Sequence, residues 1–272
     1  LPVLSAGQAT APDSLPETSL LLAGRAVDRD ELGAYDRVCA FAVGDKVPAT
    51  YPHVLAFPLA MKLMTSPEFP FSVIGLVHLR NRIWQLRPLS IGERLDIEVW
   101  SQGLADHAGG KQFDILSQAT VDGEPVWRSE STYLHRQRTG SKSSSKPGHS
   151  EQSLPEPTAI WDVGGDVGRR YAAVSGDRNP IHMHPLAARA FGFDRAIAHG
   201  MWIKARCLAA LDDLLADAFE VEVSFARPIK LPAQVAFASW PENTGHGFAV
   251  SNPTTTKPYI TGSVEIPLTE QK

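Results

Sequence analysis

Cysteine is nearly absent from this chain: its 272 residues carry only Cys39 and Cys207, each inside an apolar segment. Two such residues cannot build the disulfide framework of a small secreted domain, and they read as buried thiols in a reducing, cytoplasmic setting. Long apolar runs are missing too, with nothing near the ~20 residues of a membrane-spanning helix. Leu20-Leu21-Leu22 is too short for a signal-peptide core, and no basic stretch precedes it. Nor is there an excess of positive charge. The formal net charge is −4, which argues against nucleic acid as a partner. Arg80, Arg82 and Arg87 form a local basic cluster, expected to be a solvated face.

What is present suffices for a proper core. The chain is 43% hydrophobic and 21% charged, ordinary for a globular protein, and its length suits two domains of roughly 130 residues each. Residues 1–19 are rich in Pro, Ser, Thr and Ala without periodicity and read as a loose arm. A second break, Arg138-Thr-Gly-Ser-Lys-Ser-Ser-Ser-Lys-Pro-Gly-His-Ser150 with prolines at 155 and 157, reads as a flexible linker over 138–157.

The two sides of that linker resemble each other. Tyr35-Asp-Arg-Val38 lines up with Tyr171-Ala-Ala-Val174, and Pro52-His53-Val54 with Ala198-His199-Gly200. Arg87-Pro-Leu-Ser90 lines up with Arg227-Pro-Ile-Lys230, and Phe113 to Pro125 parallels Phe248 to Pro258. Four such matches in one order indicate an internal duplication. Each copy shows a short helix, an apolar helix (54–64 and 200–215) and then alternating strand patterns such as Leu95, Ile97, Val99 and Val221, Val223, Phe225. One helix against a run of antiparallel strands, twice over, is an α+β plan.

The copies differ at one place. Tyr35 and His53 are 18 residues apart, Tyr171 and His199 28. The ten extra residues contain Asn179-Pro180-Ile181-His182, and Phe41 stands where the second copy has Asp177. Pro180 holds its own φ and pushes Asn179 out of the α region, so the segment is not a plain helix. An acid and an imidazole are thus set on a stiffened loop, in one copy only. By itself Asp-x-Asn-Pro is a common turn. The pair His182-x-His184 invites a metal reading, but no partner ligands accompany it and no metal is expected.

Tyr171-Ala-Ala-Val-Ser-Gly-Asp-Arg-Asn-Pro-Ile-His182, with Pro185 and Ala188 after it, resembles the signature of R-specific enoyl-CoA hydratases and MaoC-like dehydratases. Ala198-His199-Gly200-Met201 resembles the start of that family's central helix, and the duplicated layout is similar to its double-hotdog members. The detailed likeness covers 171–215. It implies a tandem hotdog fold, each unit an antiparallel sheet wrapped around a central helix, with a motif-free unit over 20–137 and a motif-bearing unit over 158–272. It also implies a hydro-lyase that adds water reversibly to trans-2-enoyl thioesters of CoA or acyl-carrier protein, giving (R)-3-hydroxyacyl thioesters without a cofactor.

In that frame Asp177 and His182 divide the proton work on one water. Asn179 orients the water or the carboxylate, and Gly200 offers its N–H to the developing oxyanion at a helix N-terminus. His199 is expected to be structural, near the pocket, and His184 exposed. Phe57, Leu59, Met61 and Met64 are core residues that could line a tunnel for the acyl tail. The chain is expected to be a monomer with an internal pseudo-dimer, or a homodimer. Two other functions fit such a fold: a thioesterase, and a non-catalytic acyl-binding subunit of a dehydratase.

Overall fold

The computed structural model describes residues 14–137 and 154–266. Most of the expected arm (1–13) and of the expected linker (138–153) lies outside the described residues, as does 267–272.

The first repeat runs β1 (Leu20–Ala26), α1 (Arg29–Cys39), β2 (Lys46–Val47), α2 (Tyr51–Met64), β3 (Val77–Gln85), β4 (Leu89–Ser90), β5 (Arg94–His107), β6 (Gly110–Val121) and β7 (Glu124–Arg136). The second runs β8 (Ala159–Val163), α3 (Val167–Ser175), α4 (Pro180–Met183), α5 (Pro185–Ala190), α6 (Gly200–Ala210), β9 (Phe219–Phe225), β10 (Ala233–Glu242), β11 (Gly245–Ser251) and β12 (Pro258–Glu265). Ten of the strands form one antiparallel sheet in the order β1-β5-β6-β7-β3-β9-β12-β11-β10-β8. Reading inwards from either end gives the same sequence of equivalent strands, so the repeats meet at β3 and β9 about a pseudo-twofold axis. The small β2–β4 ladder pairs Lys46 with Ser90, and its counterpart in the second repeat is the single bridge between Ile197 and Lys230. This is the tandem hotdog.

Local sequence explains most of these elements. Leu95, Ile97 and Val99 alternate with half-exposed neighbours along β5 and are wholly buried, as a sheet with one covered face requires. Asp122-Gly123, both at positive φ, makes the tight β6–β7 turn. The αL residue that ends α3 is Gly176, and its counterpart ending α1 is Ala40 at φ 62°; both release the chain into the segment where the repeats part.

The central helices depart from the expected bounds. The first begins at Tyr51 rather than 54, with Pro52 in its first turn, a position where its missing N–H costs nothing. The second stops at Ala210 instead of 215. Two successive acids, Asp212 and Asp213, follow in a 3-10 turn over Asp212–Leu214, where the negative end of a continued helix would repel them. Leu214, expected in the buried stripe, is 48% exposed.

Two buried polar residues could not be foreseen from periodicity. Lys204 lies in the middle of α6 and is 0% exposed. Its Nζ donates to Asn81 O at 3.1 Å, Asn81 Oδ1 at 2.6 Å and Val221 O at 3.1 Å. Asn81 in turn donates to Ser129 Oγ and Ser131 Oγ, each at 3.0 Å. A helix of the second repeat is thereby tied to two strands of the first. Burial pushes the Lys204 pKa well down, opposed by Glu222 and Glu220. Three acceptors around one nitrogen match the three N–H groups of an ammonium, so we assign the charged form.

Asp36, on α1, is the second. It is 0% exposed; the Gly44 main-chain N–H bears on its carboxylate, but too loosely to satisfy either oxygen. Burial raises its pKa from 3.8 to about 7, with Asp212 adding to the rise and Arg37 opposing it. The folded state therefore holds this proton more tightly than the unfolded chain, and the associated stability is lost as pH climbs from about 4 to 7. Asp36→Asn, for which the second repeat offers the precedent of an uncharged Ala172, should escape that loss. Its stability relative to wild type should rise by about 3 kcal/mol between pH 4.5 and 7.5, as urea unfolding at those two values will read.

Candidate active site

The site is built where α3 ends, α4 begins and α6 begins. Gly176 takes the αL conformation at φ 76° and turns the chain out of α3. Ser175 Oγ then accepts from Asp177 N at 3.2 Å, and Asp177 Oδ1 accepts from Asn179 N at 3.1 Å. The carboxylate is thus bound to its own loop, as Asp readily does two residues on. Asn179, extended at ψ 124°, caps α4: its Oδ1 faces Ile181 N at 3.4 Å. It is therefore the main chain of Asn179, not its amide, that steadies Asp177. Pro180 opens α4, so His182 stands on a one-turn helix rather than in an irregular loop.

His182 Nδ1 lies 2.8 Å from the carbonyl oxygen of Ile197. A carbonyl only accepts, so Nδ1 carries the proton and Nε2 presents its lone pair. Burial lowers the His182 pKa, while the Asp177 charge and the Ile197 carbonyl pull the other way. His199 is 2% exposed and stacks on His182 with ring centroids 3.7 Å apart and planes 27° from parallel. Its Nε2 donates to the Asp177 main-chain oxygen at 3.0 Å and lies 3.8 Å from Asp177 Oδ2. One atom from each of Asp177, His182 and His199 falls within 4.8 Å of the others.

Three such donors raise the question of a cation. Two of the ring nitrogens, His182 Nδ1 and His199 Nε2, are already committed to carbonyls, which leaves one nitrogen on each ring. The arrangement is suited to moving protons.

Gly200 is the first residue of α6, with the unpaired N–H groups of a helix start around it. A Cβ here would come within 2.9 Å of the Phe225 ring, so glycine lets the aromatic wall close against the helix end. Phe225 tilts on His78 at 4.7 Å, and His78 stacks on Tyr133 at 4.5 Å. The first repeat therefore packs residues against the candidate site. Phe57 of α2 does the same, lying within 3.9 Å of a Cβ built on Gly176.

Sequence reasoning named Asp177, Asn179, His182 and Gly200, and the fold brings these together. His184 is exposed, as expected, and its Nδ1 accepts from Leu186 N at 3.1 Å to cap α5. The arginine cluster is paired with acids. Arg80 faces Glu130 and Glu222, Arg82 faces Glu220 and Glu222, and Arg87 faces Glu93. Phe41, the counterpart of Asp177, packs on Tyr35 with centroids 6.3 Å apart.

Gly168 and Ile197 were missed. Ile197 acts through a main-chain carbonyl, which no residue type announces. Gly168 has a plain steric reason: any Cβ would overlap the His182 carbonyl oxygen. Gly168→Ala should force α3 and α4 apart, cost roughly 1–3 kcal/mol and displace His182. Thermal unfolding and turnover should fall together.

Comparison with known proteins follows the same outline. Residues 153–263 match the MaoC like domain. The chain is 35% identical over 253 residues to "3-hydroxyacyl-thioester dehydratase X" of Mycobacterium tuberculosis, covering 93% of this chain and 90% of that protein. A crystal structure of HtdX from M. tuberculosis superposes with a TM-score of 0.81 at 32% identity, over 91% of this chain and 99% of the other. A MaoC-like dehydratase from Phytophthora capsici shares the fold at a TM-score of 0.76 and 18% identity, over 95% and 98% of the two chains. The chain belongs to the MaoC-like dehydratase family.

Proposed function

We propose that this protein interconverts trans-2-enoyl thioesters and (R)-3-hydroxyacyl thioesters, with Asp177 and His182 acting together on one water. The observation that carries the reading is the meeting of a loop-bound carboxylate, a histidine with a free Nε2 lone pair and the head of a buried helix at Gly200. The 35% identity to a 3-hydroxyacyl-thioester dehydratase supports it.

Hydration requires oxygen to form a bond at Cβ while the water gives up a proton. A second proton must reach Cα, and negative charge passes through the thioester oxygen. His182 Nε2 is an acceptor at rest, and Asp177 lies beside it. The two are coupled and are treated as one titrating pair. The Gly200 N–H meets the enolate oxygen, an interaction whose loss typically costs about 3 kcal/mol of barrier.

In this reading residues 20–137 form a unit without the motif and 158–272 the catalytic one. The acyl tail runs towards Phe57, which is half-buried, and Leu59 and Met61, which are partly buried against the core; Met64, 4% exposed, is core. The thioester carrier is CoA or acyl-carrier protein. Internal pairing of the repeats makes a monomer sufficient. Cys39 and Cys207 are free and buried, which suits a reducing cytoplasmic compartment.

The test is a steady-state comparison of short, medium and long trans-2-enoyl-CoAs, followed by loss of the conjugated enoyl absorbance and chiral analysis of the product. Consumption to the (R)-3-hydroxy product is expected. Release of free thiol from saturated acyl-CoA, with no hydration, would put a thioesterase in its place.

A further inference from the structure

We propose that His199 is a positioning residue for this reaction: it holds the Asp177 loop by a hydrogen bond and shields the face of the His182 ring from water. The inference rests on the hydration reading above.

His199 occupies the N-cap position of α6, with extended backbone at φ −70° and ψ 139°, yet its side chain makes no capping bond. Ser, Thr, Asp or Asn there would stabilise the helix with a capping bond. That stabilisation is forgone, and the side chain turns to the catalytic loop instead. Its Nε2–H reaches the Asp177 carbonyl at 3.0 Å. Its ring covers His182 at 3.7 Å, and Tyr171 of α3 packs beside it at 4.9 Å and 55°. The next peptide along the chain carries the Gly200 N–H. One side chain and its backbone therefore touch the acid, the histidine and the oxyanion donor.

The groups facing this ring are Asp177 from the loop, His182 from α4 and Tyr171 from α3, with Tyr133 of β7 bearing on Asp177. Burial, then the neighbouring His182, pushes the His199 pKa well down. The ring stays neutral, so Nε2 keeps its proton for Asp177. Its Nδ1 is buried without a partner, which leaves the loop contact as its hydrogen bond among the described residues. A dry neutral ring lying on His182 also disfavours the imidazolium and keeps Nε2 of His182 available.

Two substitutions separate the two contributions. His199→Phe retains the stacked ring and loses the donor. It should lower kcat about 10- to 100-fold through a misplaced Asp177, with the acid limb of the kcat/KM profile unmoved. His199→Gln retains a donor near Nε2 and opens the His182 face. Its acid limb should move to higher pH by about one unit as water reaches the ring, with a smaller fall in kcat. Circular dichroism and thermal unfolding establish that each variant is folded.

Wild-type kcat and unmoved limbs in both folded variants overturn the proposal. So does a loss of activity that merely tracks loss of folded protein, with the limbs in place. Failure of the hydration reading looks different: the wild-type protein would then consume no trans-2-enoyl-CoA, whatever His199 does.

Discussion

Asp177→Asn and His182→Gln should each lower kcat on a trans-2-enoyl-CoA by about 10³-fold, within the range expected when a positioned acid or base is removed. The asparagine keeps the size of the carboxylate and can still accept from Asn179 N, so the loop should keep its shape. What it cannot do is take up or release a proton. The glutamine can still reach the Ile197 carbonyl but offers no basic nitrogen. Loss of both residues together should cost little more than loss of one, since groups that act as a unit are not additive. Enoyl absorbance follows the rate, and unchanged circular dichroism and Tm exclude a folding defect. Full activity in both single variants would remove the dyad from the mechanism.

Lys204→Met should cost roughly 3–5 kcal/mol of stability, the usual result of removing one member of a buried charged network. The substitution strands Asn81 O, Asn81 Oδ1 and Val221 O in a place water cannot reach. The attraction of the charge is not the point, because a buried ammonium also gives up its hydration. The unpaired acceptors set the penalty. Asn81→Leu combined with Lys204→Met removes one of the stranded groups, Asn81 Oδ1, and should regain part of the loss. Because Lys204 joins α6 to β3, both repeats should unfold in one urea transition. A single variant within 1 kcal/mol of wild type would show that the network is dispensable.

Much of this architecture was legible because the chain says it twice. Tyr35 and Tyr171, or Arg87-Pro88 and Arg227-Pro228, are recognisable in any order of reading, and they fall on equivalent elements. The Asp177 loop was legible for a different reason: Asn179-Pro180 breaks a helix by steric necessity, and Asp177 and His182 lie on either side of the break. Contacts between elements were not legible. Lys204 sits in a stretch whose periodicity marks it as a break in the apolar pattern, and only the arrival of Asn81 from the other repeat makes its burial tolerable. The end of α6 at Ala210 was missed because Leu211, Leu214 and Leu215 continue the helical spacing, while Asp212 and Asp213 oppose it through charge. Ile197 and Gly168 act through a carbonyl and through an absent side chain, and neither leaves a chemical signature in the sequence.

The seam between β3 and β9 records what joining the copies in one chain permits. Arg82 is directly opposite Glu222, and these two occupy the same place in their own repeats when Arg87 is matched to Arg227. Two separate identical subunits would have to set Arg82 against Arg82, or Glu222 against Glu222, and like charges directly opposite on neighbouring strands repel. Here Arg82 meets both Glu220 and Glu222. In the same way Lys204 is matched by Pro58 rather than by a second buried ammonium near the axis. A symmetric assembly repeats every change it accepts, whereas a covalent tandem can vary one side alone. A tandem can therefore place opposite charges on equivalent positions at its seam, a pairing that matches the two halves of one chain to each other.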